Sequence, residues 1–179
     1  MPKIIPNAKE KILTSTKELL FKQGFEGLAL RDIARASGVA LGTIYNYFSS
    51  KDMLVASVMV KDWNSTLQNI TTCCNEALSV EQGVRSMYDS ITEYVDIYKS
   101  IWKEYKKNNY YFGTHHMILR NQLSEILKKL LVKFDYKEDL VLCPLLAETI
   151  LDSAVQEDIS YNELSIIINR VFKKQEEIL

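Results

Sequence analysis

The sequence predicts an all-α protein of about nine helices, a small three-helix domain followed by a larger helical one. Three observations carry that expectation. Only six Gly and three Pro punctuate 179 residues, so breaks are few and helices must be long. Apolar residues recur at three- and four-residue spacing, without convincing strand alternation or an internal repeat. Three segments pair a capping side chain with Glu or Gln three residues on: Asn7-Ala8-Lys9-Glu10, Ser79-Val80-Glu81-Gln82 and Ser160-Tyr161-Asn162-Glu163. Each is the pattern of a reciprocal capping box at a helix start.

Taken in order, the first helix starts at the Asn7 cap and carries Ile12, Leu13, Thr16, Leu19 and Leu20 at helical spacing, with Gly24 as its stop. A short second helix fits Leu30–Ser37, ended by Gly38, and a third fits Leu41–Phe48. Ser49 or Ser50 opens a fourth that meets no Gly or Pro before about Leu78. The fifth starts at Ser79, with a break expected near Ile97–Lys99 before Trp102 and Tyr105. Helical pattern returns over Thr114–Lys133 and again over Lys137–Val155, where Pro144 must kink the helix or displace its start. The last helix follows Ser160 and runs to about Gln175, with Leu164, Ile167, Ile168, Val171 and Phe172 on one face.

Composition sets bounds on function. With 25% charged and 47% hydrophobic residues, the chain reads as globular. No apolar run approaches the ~20 residues that span a bilayer, and Met1–Pro6 has no apolar core for a secretory signal. The expectation is a cytoplasmic protein without membrane partners. Cys73, Cys74 and Cys143 lack the spacing of a disulfide framework or a metal site, and read as reduced thiols; a redox role for the vicinal pair is the alternative. The net charge is −1, but residues 1–52 hold eight Lys and Arg against five acids, and the remainder fourteen against eighteen. The first part is thus the one suited to phosphate.

The punctuation of the first three helices points to function. Two short helices around a glycine turn have the dimensions of a helix-turn-helix, whose second helix lies in the major groove of DNA. Leu30, Ile33, Ala34, Val39, Ile44 and Phe48 would pack the two helices together, and Gly38 supplies positive φ in the turn. What remains on the third helix is Ala40, Leu41, Gly42, Thr43, Tyr45, Asn46 and Tyr47. This face offers hydroxyls, an amide and backbone N–H groups, and no acid, which suits phosphate oxygens and base edges.

Gly24-Phe25-Glu26-Gly27, Arg31-Asp32-Ile33-Ala34, Ser37-Gly38-Val39, Gly42-Thr43-Ile44-Tyr45-Asn46-Tyr47-Phe48 and Ser50-Lys51-Asp52-Met53-Leu54 follow one another in the order of the tetracycline-repressor (TetR) family. The sequence resembles that family over roughly residues 8–58. The resemblance implies a homodimer of helical subunits: a DNA-binding domain, here residues 1–49, and a domain for dimerisation and small-molecule binding, here 50–179. It implies phosphate contacts for Thr43, Tyr45, Tyr47 and Lys51, base reading by Ala40, Leu41 and Asn46, and a DNA contact from Arg31; Gly42, having no side chain, lets the backbone approach closely. The sequence departs from the family at Ala29 and Ala40, where Thr or Ser usually caps the two short helices.

Beyond residue 50 aromatics are dense. Trp63, Tyr88, Tyr94, Tyr98, Trp102, Tyr110, Phe112 and His116 are the candidate pocket for a small apolar or aromatic ligand; helical core is the competing reading of each. Tyr105 and Tyr111 belong to the same run. Adjacent histidines such as His115-His116 point about 100° apart on a helix and rarely share an ion, so no metal and no cofactor are expected. Glu148, Asp152 and Glu157 read as a solvated face. The run Leu140–Ala147 is more apolar than a single small core requires, making the last two helices the dimer candidates, and a two-fold dimer suits a palindromic operator. The expected function is a DNA-binding transcriptional regulator, a repressor released from its operator by a ligand. The alternative is a protein of the same fold that binds another protein without reading DNA. No nucleophile–base pair, metal spacing or GxxxxGK[ST] loop suggests an enzyme.

Overall fold

A computed structural model describes residues 6–106, 112–156 and 160–172, and all side chains within them except those of 102–106, 112–115 and 156. The described residues form eight α-helices and one 3-10 helix, with no strand. The helices are α1 (Ala8–Gly27), α2 (Leu30–Ser37), α3 (Leu41–Tyr47), α4 (Lys51–Glu76), α5 (Val80–Lys106), α6 (Phe112–Lys133), α7 (Cys143–Gln156) and α8 (Tyr161–Val171), and the 3-10 helix Lys137–Leu142 precedes α7. Two compact units result: Met1–Asn64 with Tyr98–Asn108, and Ser65–Ile97 with Asn109–Leu179. The first unit therefore extends past the motif boundary at residue 49 to include the start of α4 and the end of α5.

In the first unit, α1 packs on α2 and α3, and α2 on α3. Ile12, Leu20, Ile33 and Ile44 are wholly buried between them, with Phe25, Leu28, Val39 and Phe48 around them. Burial of each such side chain is worth roughly 1.5–3 kcal/mol. Asn7 does not form the predicted box: it lies at φ 56, ψ 30 and its side chain makes no cap hydrogen bond. A cap residue needs extended backbone to bring its side-chain oxygen over the first N–H groups, and left-handed backbone does not do so. Gly24 breaks the helix as predicted, at φ 73, ψ 174, but the chain recovers one further turn to Gly27. The start of α4 is capped by Ser50, whose Oγ accepts the Met53 N–H at 3.1 Å.

In the second unit the α5 box is shifted by one residue. Ser79 Oγ accepts the Gln82 N–H at 3.0 Å, while the Gln82 side-chain carbonyl accepts the Leu78 N–H at 2.8 Å. The break predicted near Ile97–Lys99 is absent, and α5 runs unbroken to Lys106. No Gly or Pro stands between Gly83 and Gly113, and Tyr94, Tyr98 and Ile101 continue one buried stripe through the expected break. Pro144 displaces the start of α7: it is the helix's second residue, where its missing N–H would have had no helical partner. The residues before it take the tighter 3-10 form. The α6 helix packs on α7 and on the 3-10 helix, and α7 on α8. At α8 the Glu163 carboxylate accepts both the N–H and the hydroxyl of Ser160 at 2.9 Å, which holds its pKa below the ordinary carboxylate value. Leu164, Ile168 and Phe172 face inward, whereas Ile167 and Val171, expected beside them, are exposed. The predicted end at Gln175 lies outside the described residues.

Burial, reinforced by neighbouring Cys73, raises the Cys74 thiol to about 11, and burial also raises Cys143. Burial thus disfavours the thiolate at Cys74 and Cys143. No helix among the described residues is long and apolar enough to cross a membrane.

Candidate nucleic-acid interface

The helix-turn-helix is built as the residue pattern requires. Gly38 ends α2 at φ 68, ψ 25 and donates its N–H toward the Ala34 and Arg35 carbonyls, a left-handed cap that a side chain with a Cβ would strain. The chain then turns directly into α3. Ile33, Ala34, Val39, Ile44 and Phe48 are buried, and Leu30 is half-buried at the edge.

With that side of α3 buried, Tyr45, Asn46 and Tyr47 are exposed, as are Ala40 and Gly42, while Leu41 and Thr43 are half-buried. Tyr45 keeps 53% and Tyr47 50% of its surface open, an unusual exposure for large rings with nothing to cover. No carboxylate lies on α3. Nothing lies within 4 Å of a Cβ built on Gly42, so the backbone there is open to close approach. Arg31 is exposed on α2, and Arg35 lies 3.6 Å from Asp32 on the same helix.

Ala29 and Ala40 occupy the N-cap positions of α2 and α3, in extended backbone and without side-chain cap hydrogen bonds. Lys51 has a local partner that its sequence pattern did not suggest. Its ammonium donates to the Phe25 carbonyl at 2.8 Å and sits 4.4 Å from the centre of the Phe25 ring. It thereby fastens the start of α4 to the extra turn after Gly24, and an ammonium has two further N–H donors for phosphate.

Trp63 and Tyr98 lie in the first unit and Tyr88 and Tyr94 in the second. Trp63, Tyr94 and Tyr98 are buried; Tyr88 stacks on Tyr161, ring centres 5.2 Å apart. The Tyr98 hydroxyl donates to Asp62 at 2.6 Å, and Asp62 pairs with Lys17 at 2.5 Å, an arrangement no sequence spacing signals. Tyr110 lies outside the described residues, as do the side chains of Trp102, Tyr105 and Phe112, and Tyr111. His116 Nε2 meets Glu148 Oε1 at 2.6 Å, with Arg120 3.8 Å from the other oxygen. Glu148 is therefore half-buried and paired, not solvated, and its Oε2 is buried without a hydrogen-bond partner. A cleft of about 320 Å³ in the second unit is lined by Leu78, Ser79, Val80, Phe134, Tyr136 and Phe172, none of them an expected pocket residue. Among the described residues no group of three His, Cys, Asp or Glu is placed to hold a metal ion.

Residues 12–58 match the profile described as bacterial regulatory proteins, tetR family. An uncharacterized HTH-type transcriptional regulator in the lacX 3' region of Lactococcus lactis subsp. lactis is 39% identical over 66 residues, 35% of this chain and 34% of that one. The uncharacterized HTH-type transcriptional regulator YvdT of Bacillus subtilis (strain 168) is 36% identical over 70 residues, 39% of this chain and 36% of that one. The chain thus spans about a third of the length of these relatives. The fold likeness reaches further. The fatty acid degradation regulator FadR from Bacillus halodurans shares the fold at a TM-score of 0.57 and 18% identity, covering 98% of this chain and 99% of that one. The tetR-family profile thus falls on the observed helix-turn-helix, and the likeness along the rest of the chain is one of fold.

Proposed function

We propose that this protein is a dimeric, sequence-specific DNA-binding transcription regulator, a repressor released from a palindromic operator by a small molecule. The observation that carries the reading is the acid-free, exposed face of α3, with two half-exposed tyrosines and an asparagine on a helix already fixed by its buried side. Thr43, Tyr45, Tyr47 and Lys51 are assigned to phosphate, which sets register without reading sequence. Leu41, Asn46 and Ala40 are left to discriminate bases, where Asn can bond adenine through two atoms.

The effector falls to the second unit, where Tyr88, Tyr94 and His116 of the candidate residues lie. The buried Oε2 of Glu148, which faces Arg120 at 3.8 Å but accepts no hydrogen bond, supports an effector that brings a hydrogen-bond donor alongside its apolar surface, because a buried acceptor is costly to leave without one. Effector binding would act by favouring a state in which the two reading heads no longer match successive major grooves.

The test is a gel shift and footprint with DNA flanking the protein's own gene. Wild-type protein should protect an inverted repeat, and Tyr45→Ala with Lys51→Ala should lose at least a hundredfold in affinity while keeping its helical content. Retained protection by that double variant would overturn the reading. One observation favours a second reading, a protein-binding role without DNA recognition: neither α2 nor α3 has a side-chain cap. That reading predicts no protection by the wild-type protein.

A further inference from the structure

We infer that Asp62 is a positioning residue for DNA reading, clamping the helix-turn-helix unit to the two helices that carry it. The inference rests on the DNA-binding reading above and adds a residue outside the reading head. One Asp62 oxygen receives two donors from two different helices. Lys17 on α1 pairs with it at 2.5 Å, and the Tyr98 hydroxyl on α5 donates to it at 2.6 Å. Asp62 itself is on α4, so three helices meet at one atom, all within the first unit.

The members differ in how firmly they are held. Tyr98 is wholly buried, so its hydroxyl has lost water, and its hydrogen bond to a carboxylate belongs to the stronger, charge-assisted kind. Asp62 keeps 20% and Lys17 45% of its side-chain surface. The Tyr98–Asp62 link is therefore the rigid part and Lys17 the arm that fastens α1 to it. Phe21, one turn along α1 from Lys17, rests its ring 5.6 Å from that of Tyr98. A second ion pair, Lys61 with Glu10, repeats the α4–α1 link two turns back along α1. Few surface pairs matter alone, but a shared acceptor that is mostly buried and fixed by a buried phenol is not an isolated surface pair.

Consequences for binding follow from geometry. α1 is the helix on which α2 and α3 pack, so its seat on α4 and α5 orients α3. Loosening the seat spreads the orientations of each head and lowers the fraction able to engage two half-sites at once. Apparent affinity falls by that fraction. A single half-site, which demands no matched orientation, is hardly affected.

The experiment uses full-length Asp62→Asn, Tyr98→Phe and Lys17→Met. The probes are a palindromic duplex selected from random sequence by the wild-type protein, and the same duplex with one arm scrambled. Amide hydrogen exchange of α1, measured without DNA, runs in parallel. The expected result is a three- to thirtyfold loss on the palindrome, less than twofold on the scrambled duplex, and faster exchange in α1 than in α7. The Lys17→Met and Asp62→Asn losses should not add. Equal loss on both duplexes, or unchanged α1 exchange, overturns the inference. If the wild-type protein selects no duplex, the DNA-binding reading fails instead, and the exchange arm, which needs no DNA, still reports whether the clamp exists.

Discussion

Ala40 shows how much one missing hydroxyl decides. It stands at the N-cap of α3 with φ −69, ψ 147, the extended geometry from which a Ser or Thr oxygen would accept an N–H of the first turn. The backbone does part of that work, since the Thr43 N–H reaches the Ala40 carbonyl at 2.9 Å. A side-chain cap is typically worth ~1 kcal/mol, and α3 has only seven residues to hold it together. Ala40→Ser should therefore raise thermal stability by about 0.5–1 kcal/mol and, on the proposed DNA-binding function, tighten operator binding several-fold, the second effect because the new hydroxyl would face phosphate. Unfolding curves and operator titrations measure the two separately. Raised stability with unchanged affinity would assign position 40 to the helix alone; no change in either would remove the capping argument.

At the scale of elements, Gly83 marks where α5 and α6 approach. A Cβ at that position would lie 2.6 and 2.7 Å from the two methyls of Leu130, and 3.2 Å from its branch carbon. Leu130 is itself buried, so it has little room to turn aside. Gly83→Ala gains about 1 kcal/mol of helix propensity, but overpacking typically costs ~1–3 kcal/mol. With three close atoms in an enclosed site, the steric cost outweighs the gain. A net loss of roughly 1–2 kcal/mol in chemical denaturation is expected. Adding Leu130→Ala should make Gly83→Ala nearly neutral or favourable, and strictly additive losses would show that the two do not touch.

The same site shows what was legible in the sequence. A glycine inside a helical pattern announces that some backbone comes close, without saying whose. Gly38 was readable in full because its partners lie within the turn it ends. The bounds of α2 and α3 were readable for the same reason. Asn7 misleads because a capping pattern specifies side chains and not the left-handed backbone that disables them. The break expected at Ile97–Lys99 does not form because no Gly or Pro stands there and the buried face of Tyr94, Tyr98 and Ile101 continues through it. Of the candidate interface, the exposed face of α3 could be read from periodicity once the buried side was subtracted. The Lys51–Phe25 tether and the Lys17–Asp62–Tyr98 clamp could not, since they join residues 26, 45 and 36 positions apart.

For the whole molecule, the exposed apolar surface of the last helices bears on assembly. Val141 and Leu145 keep 80% and 65% of their surface open, and Ile166, Ile167 and Val171 on α8 are likewise exposed. The buried side of α7 and α8 holds Leu146, Ala147, Leu164 and Ile168 instead. Exposed apolar groups on adjacent helices are what we propose a two-fold partner covers, and a stable dimer buries about 1,200–2,000 Å² in total. Leu145→Glu with Ile167→Glu would place two charges per subunit in that interface, four around the two-fold axis. Desolvating unpaired carboxylates costs several kcal/mol, so the dimer dissociation constant should rise at least a hundredfold by sedimentation equilibrium. Because both positions are open to solvent in the single subunit, helical content and monomer unfolding should change little, which separates loss of assembly from loss of fold. The variant should then bind a single half-site as the wild-type protein does and lose its preference for the palindrome. A dimer that persists with both charges in place would move the interface to another face of the second unit.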